Sequence, residues 1–409
     1  MYACLQRALL GLALLGAPAL LSGCGVSDSA DATGSQLAIY SSLPLQGPTA
    51  TISEQIVDGE TLALSDAGGH AGHFRIGYFS LDDSNPKSGR WDPGLTASDA
   101  KTAAQDTSTI AYLGELDSGA TALSLPIING AGILQISPSS PYVGLTSSLD
   151  AGQDEPGRFY PTGQRNFARL APGDPVQAAA QVALMKQLGV SDVYVLDDEE
   201  PFNVPLATLV AGDAEHAGIT VAAHDELSTT AGTKFAGEVE KNTKSGAGAV
   251  FLSGTAGAGA AALWRALHAA DPSLWLLGSS AMAEETFTQS LGAAEERTLL
   301  TTPELPVGDY PPSARSVLAD YRRHFGVDGG SYALYGYEAM TLVLSAIQAA
   351  GAKGNDRPTI VKRIFSVRNR NSVIGRYSIE PSGETTLTRY GVDRVSGGRP
   401  VFQRAIETG

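Results

Sequence analysis

The stretch TIAYLGELDSGATALSLPIINGAGILQIS, Thr109–Ser137, decides the fold. Thr109–Leu113 is a short, mostly apolar run, followed by a small polar turn. Ala120–Ala131 then carries helical spacing, and Ile133–Ile136 is a second apolar run. Strands that are apolar throughout, instead of alternating, and that are separated by a helix predict a parallel sheet covered on both faces.

The same rhythm extends in both directions. Upstream, strands are expected at Leu37–Ser41 and Phe74–Leu81, with helices over Ile52–Ala67 and Ala97–Asp106. Downstream the pattern restarts: helix Val176–Leu188, strand Val193–Leu196, helix Pro205–Ala217, strand Val221–Ala223 and helix Phe235–Thr243. Strand Ala249–Leu252, helix Ala260–Ala270 and strand Leu274–Leu277 follow. After Thr302 the spacing gives helices Ser313–His324, Ala333–Ala350 and Thr359–Ser366, then an antiparallel pair of Gly375–Ile379 with Tyr390–Val395. Asp150–Asn166, rich in Gly, Pro and charge, reads as an inserted surface loop. The fold class is therefore α/β, with two doubly wound Rossmann-like units whose natural ligand position is the crevice at the carboxyl ends of the strands.

Charge and composition narrow the function. The 409 residues carry 28 Lys+Arg against 43 Asp+Glu, a net charge of -15, and no basic run occurs. A polyanion is repelled by such a chain, so no nucleic acid is expected as a partner. The two cysteines, Cys4 and Cys24, both lie at the N-terminus, so the body has neither a disulfide framework nor a Cys-based metal site. Ala8–Leu21 is an uncharged apolar run interrupted by Pro18. It falls short of the about 20 residues that a spanning helix needs and reads as the core of a secretory signal. Leu21-Ser22-Gly23-Cys24 then resembles the bacterial lipobox. Residues 1–23 are expected as a lipoprotein signal peptide, Cys24 as the acylated residue, and 24–36 as a flexible tether. The expected location is the extracytoplasmic face of the cell membrane, with several acyl chains as the anchor.

The order of motifs resembles a known family. Gly114-Glu-Leu-Asp-Ser-Gly-Ala-Thr121, then Leu125-Pro126, then Gly132-Ile-Leu-Gln-Ile-Ser-Pro138 is similar to the signature of type I solute-binding proteins. The most similar group is the leucine/isoleucine/valine-binding proteins of ABC importers. Gly47-Pro48, Asp82-Asp83 before Pro86, Tyr332–Ala339, Val373-Ile-Gly375 and Gly383 add to the likeness, which runs from about Leu37 to Phe402. The resemblance implies a type I periplasmic binding protein fold: two lobes joined by three crossovers, closing on a ligand like a hinge. The crossovers are expected near Ala171, Thr302 and Ser372. They divide the chain into 37–171 with 303–372 and 172–302 with 373–409. Implied partners are a small-molecule ligand and a membrane permease driven by an ATPase; no cofactor and no metal are implied.

The resemblance also points to site residues. Asp117, Ser118 and Thr121 follow the third strand, and Ser118 matches the position that holds a ligand carboxylate; its alternative is a helix cap. Ser139, Ser140 and Pro141 follow the fourth strand, with Pro141 where amino-acid binders commonly carry a Thr. Ser280 stands where they carry an acid for the ammonium group, and Glu284 or Glu285 nearby are candidate substitutes. Phe202 matches an aromatic lid, or is a core phenylalanine, while Ser253 and Thr255 end the next strand. With Asp117 present and no Arg or Lys recognised at these loops, a neutral or cationic polar ligand is expected, not necessarily a free α-amino acid.

Catalytic readings are weaker. His70-Ala-Gly-His73 lacks a third ligand at a zinc spacing, and no nucleophile elbow or Walker loop occurs. Gly254–Gly259 lacks the dinucleotide spacing, and Asp197–Glu200 reads as a solvated loop. No catalytic residue is assigned. A ligand-sensing receptor subunit of the same fold is the alternative to an importer component, and a hydrolase acting in the cleft is a remoter one.

Overall fold

A computed structural model describes residues 31–34, 36–229 and 234–408. The expected signal peptide and the acylated Cys24 lie outside the described residues.

The chain runs β1 (Gln36–Leu43), α1 (Ala50–Asp66), β2 (His70–Ala71), β3 (Phe74–Asp82), α2 (Pro93–Gln105) and β4 (Thr109–Leu113). Next come α3 (Ser118–Gly130), β5 (Leu134–Ser137) and β6 (Phe167–Arg169). These strands form one sheet in the order β2-β3-β1-β4-β5-β6, parallel except for β2. The second unit follows as α4 (Asp174–Gln187), β7 (Asp192–Asp197), α5 (Val204–His216), β8 (Thr220–Glu226), α6 (Ala236–Ser245) and β9 (Ala249–Ser253). It continues through α7 (Ala258–Ala270), β10 (Trp275–Gly278), α8 (Glu285–Thr288) and β11 (Thr298–Thr302). The chain then returns to the first unit with α9 (Pro312–Phe325), α10 (Ser331–Ala350), α11 (Arg357–Phe365), β12 (Arg370–Ser372) and β13 (Gly375–Tyr377). It ends in the second with β14 (Arg389–Ser396) and β15 (Arg399–Glu407), and the second sheet reads β15-β14-β11-β10-β9-β7-β8.

Strand alternation explains why both faces of each sheet are covered. Leu37 and Ile39 of β1 enter the core beneath α1 and α10, while Ala38 and Tyr40 enter a smaller core on the opposite face. In the second sheet Val193 and Val195 of β7 join one core, and Tyr194 and Leu196 join the other. Helices α1 and α10 meet through glycines. A Cβ on Gly59 would lie 2.1 Å from the Ala333 carbonyl oxygen, and one on Gly336 would lie 2.2 Å from that of Ile56.

Several expectations change. Helix α2 starts at Pro93 and not Ala97, because the Asp92 carboxylate caps it by accepting from the Gly94 and Leu95 N–H groups. The expected closing pair does not form: β13 pairs with β12, whereas β14 pairs with β11 and β15. The third crossover falls after Ile379 instead of near Ser372, since Val373, Ile374, Tyr377 and Ile379 are buried in the first unit's core. The 150–166 insertion is anchored, with Phe159 and Tyr160 buried beside Leu145. The end of the expected tether is docked as well: Ala32 is buried, and its N–H donates to the Asn355 carbonyl at 2.8 Å.

Candidate functional site

The carboxyl ends of both sheets face one cavity of about 470 Å³ between the lobes. The first lobe contributes the N-terminus of α3 and the loops after β3 and β5. The second contributes the loops after β7, β9 and β10, and residues 302–304 form part of the floor.

Of the site residues expected from sequence, Asp117, Ser118, Ser139, Phe202, Thr255 and Ser280 line this cavity. Asp117, rather than Ser118, occupies the cap position of α3, without a capping bond. Ser118 lies inside the helix and its hydroxyl accepts from the Tyr142 N–H at 3.2 Å. Thr255 is fixed by Asp198, whose carboxylate accepts from the Thr255 N–H at 2.6 Å and from Asn203 Nδ2 at 2.9 Å. Asp197 accepts from the Glu199 N–H at 3.0 Å, so both aspartates of the acidic loop brace its turn. Ser280 donates to Gln177 Oε1 at 3.4 Å; Gln177 in turn is held by Thr301.

Thr121 and Ser140 do not line the cavity. Both are fully buried, with their hydroxyls 2.6 Å apart, and Ser140 also reaches the Glu115 carbonyl at 3.1 Å. Ser253 is likewise committed, to the Asn203 carbonyl at 2.7 Å. These three position the loops instead of presenting a group to a ligand. The loop carrying Ser139 and Pro141 is held from behind by the fully buried Arg169, which donates to the Ser140 carbonyl at 2.6 Å and the Tyr142 carbonyl at 2.8 Å. Arg169 also pairs with Glu384 at 2.9 Å, tying this loop to the third crossover.

Other lining residues escaped the sequence reading. Arg90 and Trp91, from the loop after β3, face the second lobe, which overturns the expectation that no cation stands at these loops. Arg90 binds Glu284 through two bonds, at 2.8 and 2.9 Å, and donates to the Ala256 carbonyl at 3.1 Å. Glu284 therefore already has a cation, and Glu285 instead accepts from Gln289. Trp91 and Phe202 converge from opposite lobes on Gly119, where an added Cβ would come within 2.6 Å of one ring and 3.0 Å of the other. Tyr332 and Tyr390 add two further aromatic walls, and Glu304 stands at the second crossover. The only local signal for Arg90 and Trp91 is their position just before the Asp92-Pro93 helix start.

Burial governs the acidic groups. It pushes the Asp117 carboxyl up to about 6, against the pull of Arg90, with Glu284 adding to the rise. Glu304 is raised to about 7 by burial and by Asp393. Asp174 is raised to about 7 by burial although Arg169 opposes the shift.

The profile of the periplasmic binding protein family matches residues 41–399. The chain belongs to this family. Among curated proteins no match is found. Its fold is shared with a leucine-binding protein, LivK, from Thermotoga maritima (21% identity, TM-score 0.73), over 91% of this chain and 99% of that one. A solute-binding protein from R. palustris in complex with 4-hydroxybenzoate is 15% identical with TM-score 0.72, over 91% of this chain and 96% of that one. LivJ from Streptococcus pneumoniae, in complex with isoleucine, is 18% identical with TM-score 0.69, over 90% and 98%. As a type I periplasmic binding protein, the chain pairs interleaved lobes with a cavity at their junction.

Proposed function

We propose that this periplasmic binding protein is the extracytoplasmic solute-capturing component of an ABC importer, held at the membrane by lipid on Cys24. The observation that carries the reading is the cavity itself, walled by strand ends from both lobes and crossed by the Arg90–Glu284 pair. A site divided between two lobes is made by closing them, so ligand binding and recognition of the closed shape by a permease become one event. Similar structures in complex with isoleucine or 4-hydroxybenzoate, and a leucine-binding protein of the same fold, support a small organic solute. Binding without turnover is the expected chemistry.

Mass spectrometry of small molecules released from the purified protein tests this. A single species retained at near-stoichiometric amount, and recovered unchanged after incubation, is expected. Recovery of a transformed compound would favour the hydrolase reading, and a protein that retains and binds nothing would remove the import role. For the anchor, Cys24→Ser is expected to move the protein from the membrane to the soluble fraction. Unchanged fractionation would dismiss lipidation.

A further inference from the structure

The charges around the cavity do not balance. Its walls include the carboxylates of Asp117, Asp174, Glu200, Glu284 and Glu304, against one cationic side chain among the described residues, Arg90. Arg90 is committed to Glu284 across the lobes, and Asp174 accepts from the Val143 N–H at 3.0 Å. The half-buried carboxylates of Asp117 and Glu304 receive neither a hydrogen bond nor an ion pair from the described residues. Tyr332, a buried residue of the cavity wall, lies within electrostatic reach of both. Nearby, the Trp91 and Phe202 rings converge on Gly119, two residues from Asp117.

We propose that the cavity takes an organic cation with an apolar or aromatic body and no carboxylate of its own, its positive group held by Asp117 and Glu304 and its body lying against Trp91 and Phe202. This rests on the reading of the cavity as a solute site. A carboxylate in a low-dielectric cleft is stabilised most by an opposite charge brought with the ligand. The aromatic faces add to the attraction, because the negative face of a ring favours a cation. The same arrangement discriminates against the alternatives. An anion, or the carboxylate of an α-amino acid placed by Ser118, meets Asp117 next door, with the one available cation already neutralised. Pro141 offers neither hydroxyl nor N–H to such a carboxylate.

Benzamidine, benzamide and benzoate test the assignment, because they share one shape and carry positive, zero and negative charge. Titration calorimetry of the purified protein at pH 8 is expected to show benzamidine binding at least about tenfold tighter than benzamide, with no binding of benzoate or leucine. Asp117→Asn and Glu304→Gln are each expected to weaken benzamidine about tenfold and to change benzamide much less, with circular dichroism reporting that the variants are folded. Tighter binding of benzoate or leucine than of benzamidine overturns the charge assignment and leaves the solute-binding reading standing. Benzamidine affinity indifferent to both substitutions overturns the roles of these two residues. No response to any of the four compounds overturns the proposal, while the copurified small molecule judges the binding reading separately.

Discussion

Glu304 meets Asp393, Tyr332 and Tyr310 around its carboxyl, and none of them is a cation. Its carboxyl is raised to about 7 from an ordinary 4.5, so the folded protein holds a proton there that the unfolded chain has released. Stability from this group is complete below the ordinary carboxylate range and is lost as pH rises through about 7. Asp117, between Arg90 and Glu284, acts in the same direction through about 6. Melting temperatures measured between pH 5 and pH 8 are expected to fall with rising pH, and Glu304→Gln is expected to shrink that fall. An identical profile in the variant would show that Glu304 does not titrate in this window. The buried hydroxyls behave differently. Thr121→Val removes the bond to Ser140 Oγ and the acceptor of the buried Glu115 N–H, while Ser140 keeps the Glu115 carbonyl, so it is expected to lower unfolding free energy by about 1–3 kcal/mol in urea titrations. Because Thr121 does not line the cavity, ligand affinity is expected to change little. These two roles were not separable from the sequence. Asp117, Ser118 and Thr121 stand within one turn of α3, and only the direction of each side chain sends the first two to the cavity and the third to Ser140.

At the scale of elements, the α1–α10 contact depends on the absence of side chains at Gly59 and Gly336. Alanine has the better helix propensity, by about 1 kcal/mol, yet a Cβ at 336 would run into the backbone of α1. Gly336→Ala is therefore expected to destabilise by about 1–3 kcal/mol, the range of an overpacked core, read by denaturant midpoint. A gain in stability would mean that propensity outweighs the close approach. The strands that could be read from sequence are those buried on both faces, such as β4 and β9, whose every residue is apolar or small. Strand β6 gave no such signal, because its three residues include Arg169, a charge that is buried only through partners distant in sequence. Strand β15 lies at a sheet edge, with most of its side chains exposed or half-exposed, and so has no apolar run to detect. Strand β11 is fully buried yet three of its five residues are threonine, so its apolar run is only Leu299-Leu300.

For the molecule as a whole, the Arg90–Glu284 pair is an ion pair that joins the two lobes across the cavity, between residues 194 positions apart, beside the Arg90 bond to the Ala256 carbonyl. No local pattern announces such a pair, since it exists only once both lobes have formed and met. Arg90 is partly exposed, so its electrostatic attraction is screened by salt, while its fork geometry towards Glu284 fixes how the lobes align. Arg90→Ala is expected to shift the free protein towards an open form. Small-angle scattering would then report a larger radius of gyration for the variant, and the difference would shrink at high salt as the parent opens too. Exchanging the pair, with Arg90→Glu and Glu284→Arg together, is expected to recover part of the parent's compactness, whereas either reversal alone places like charges across the mouth and opens it further. Equal radii for the parent and both single reversals would show that the aromatic contacts at Gly119 hold the lobes together without the ion pair. Gly119→Leu, which drives a side chain between Trp91 and Phe202, would then be the substitution that opens the molecule.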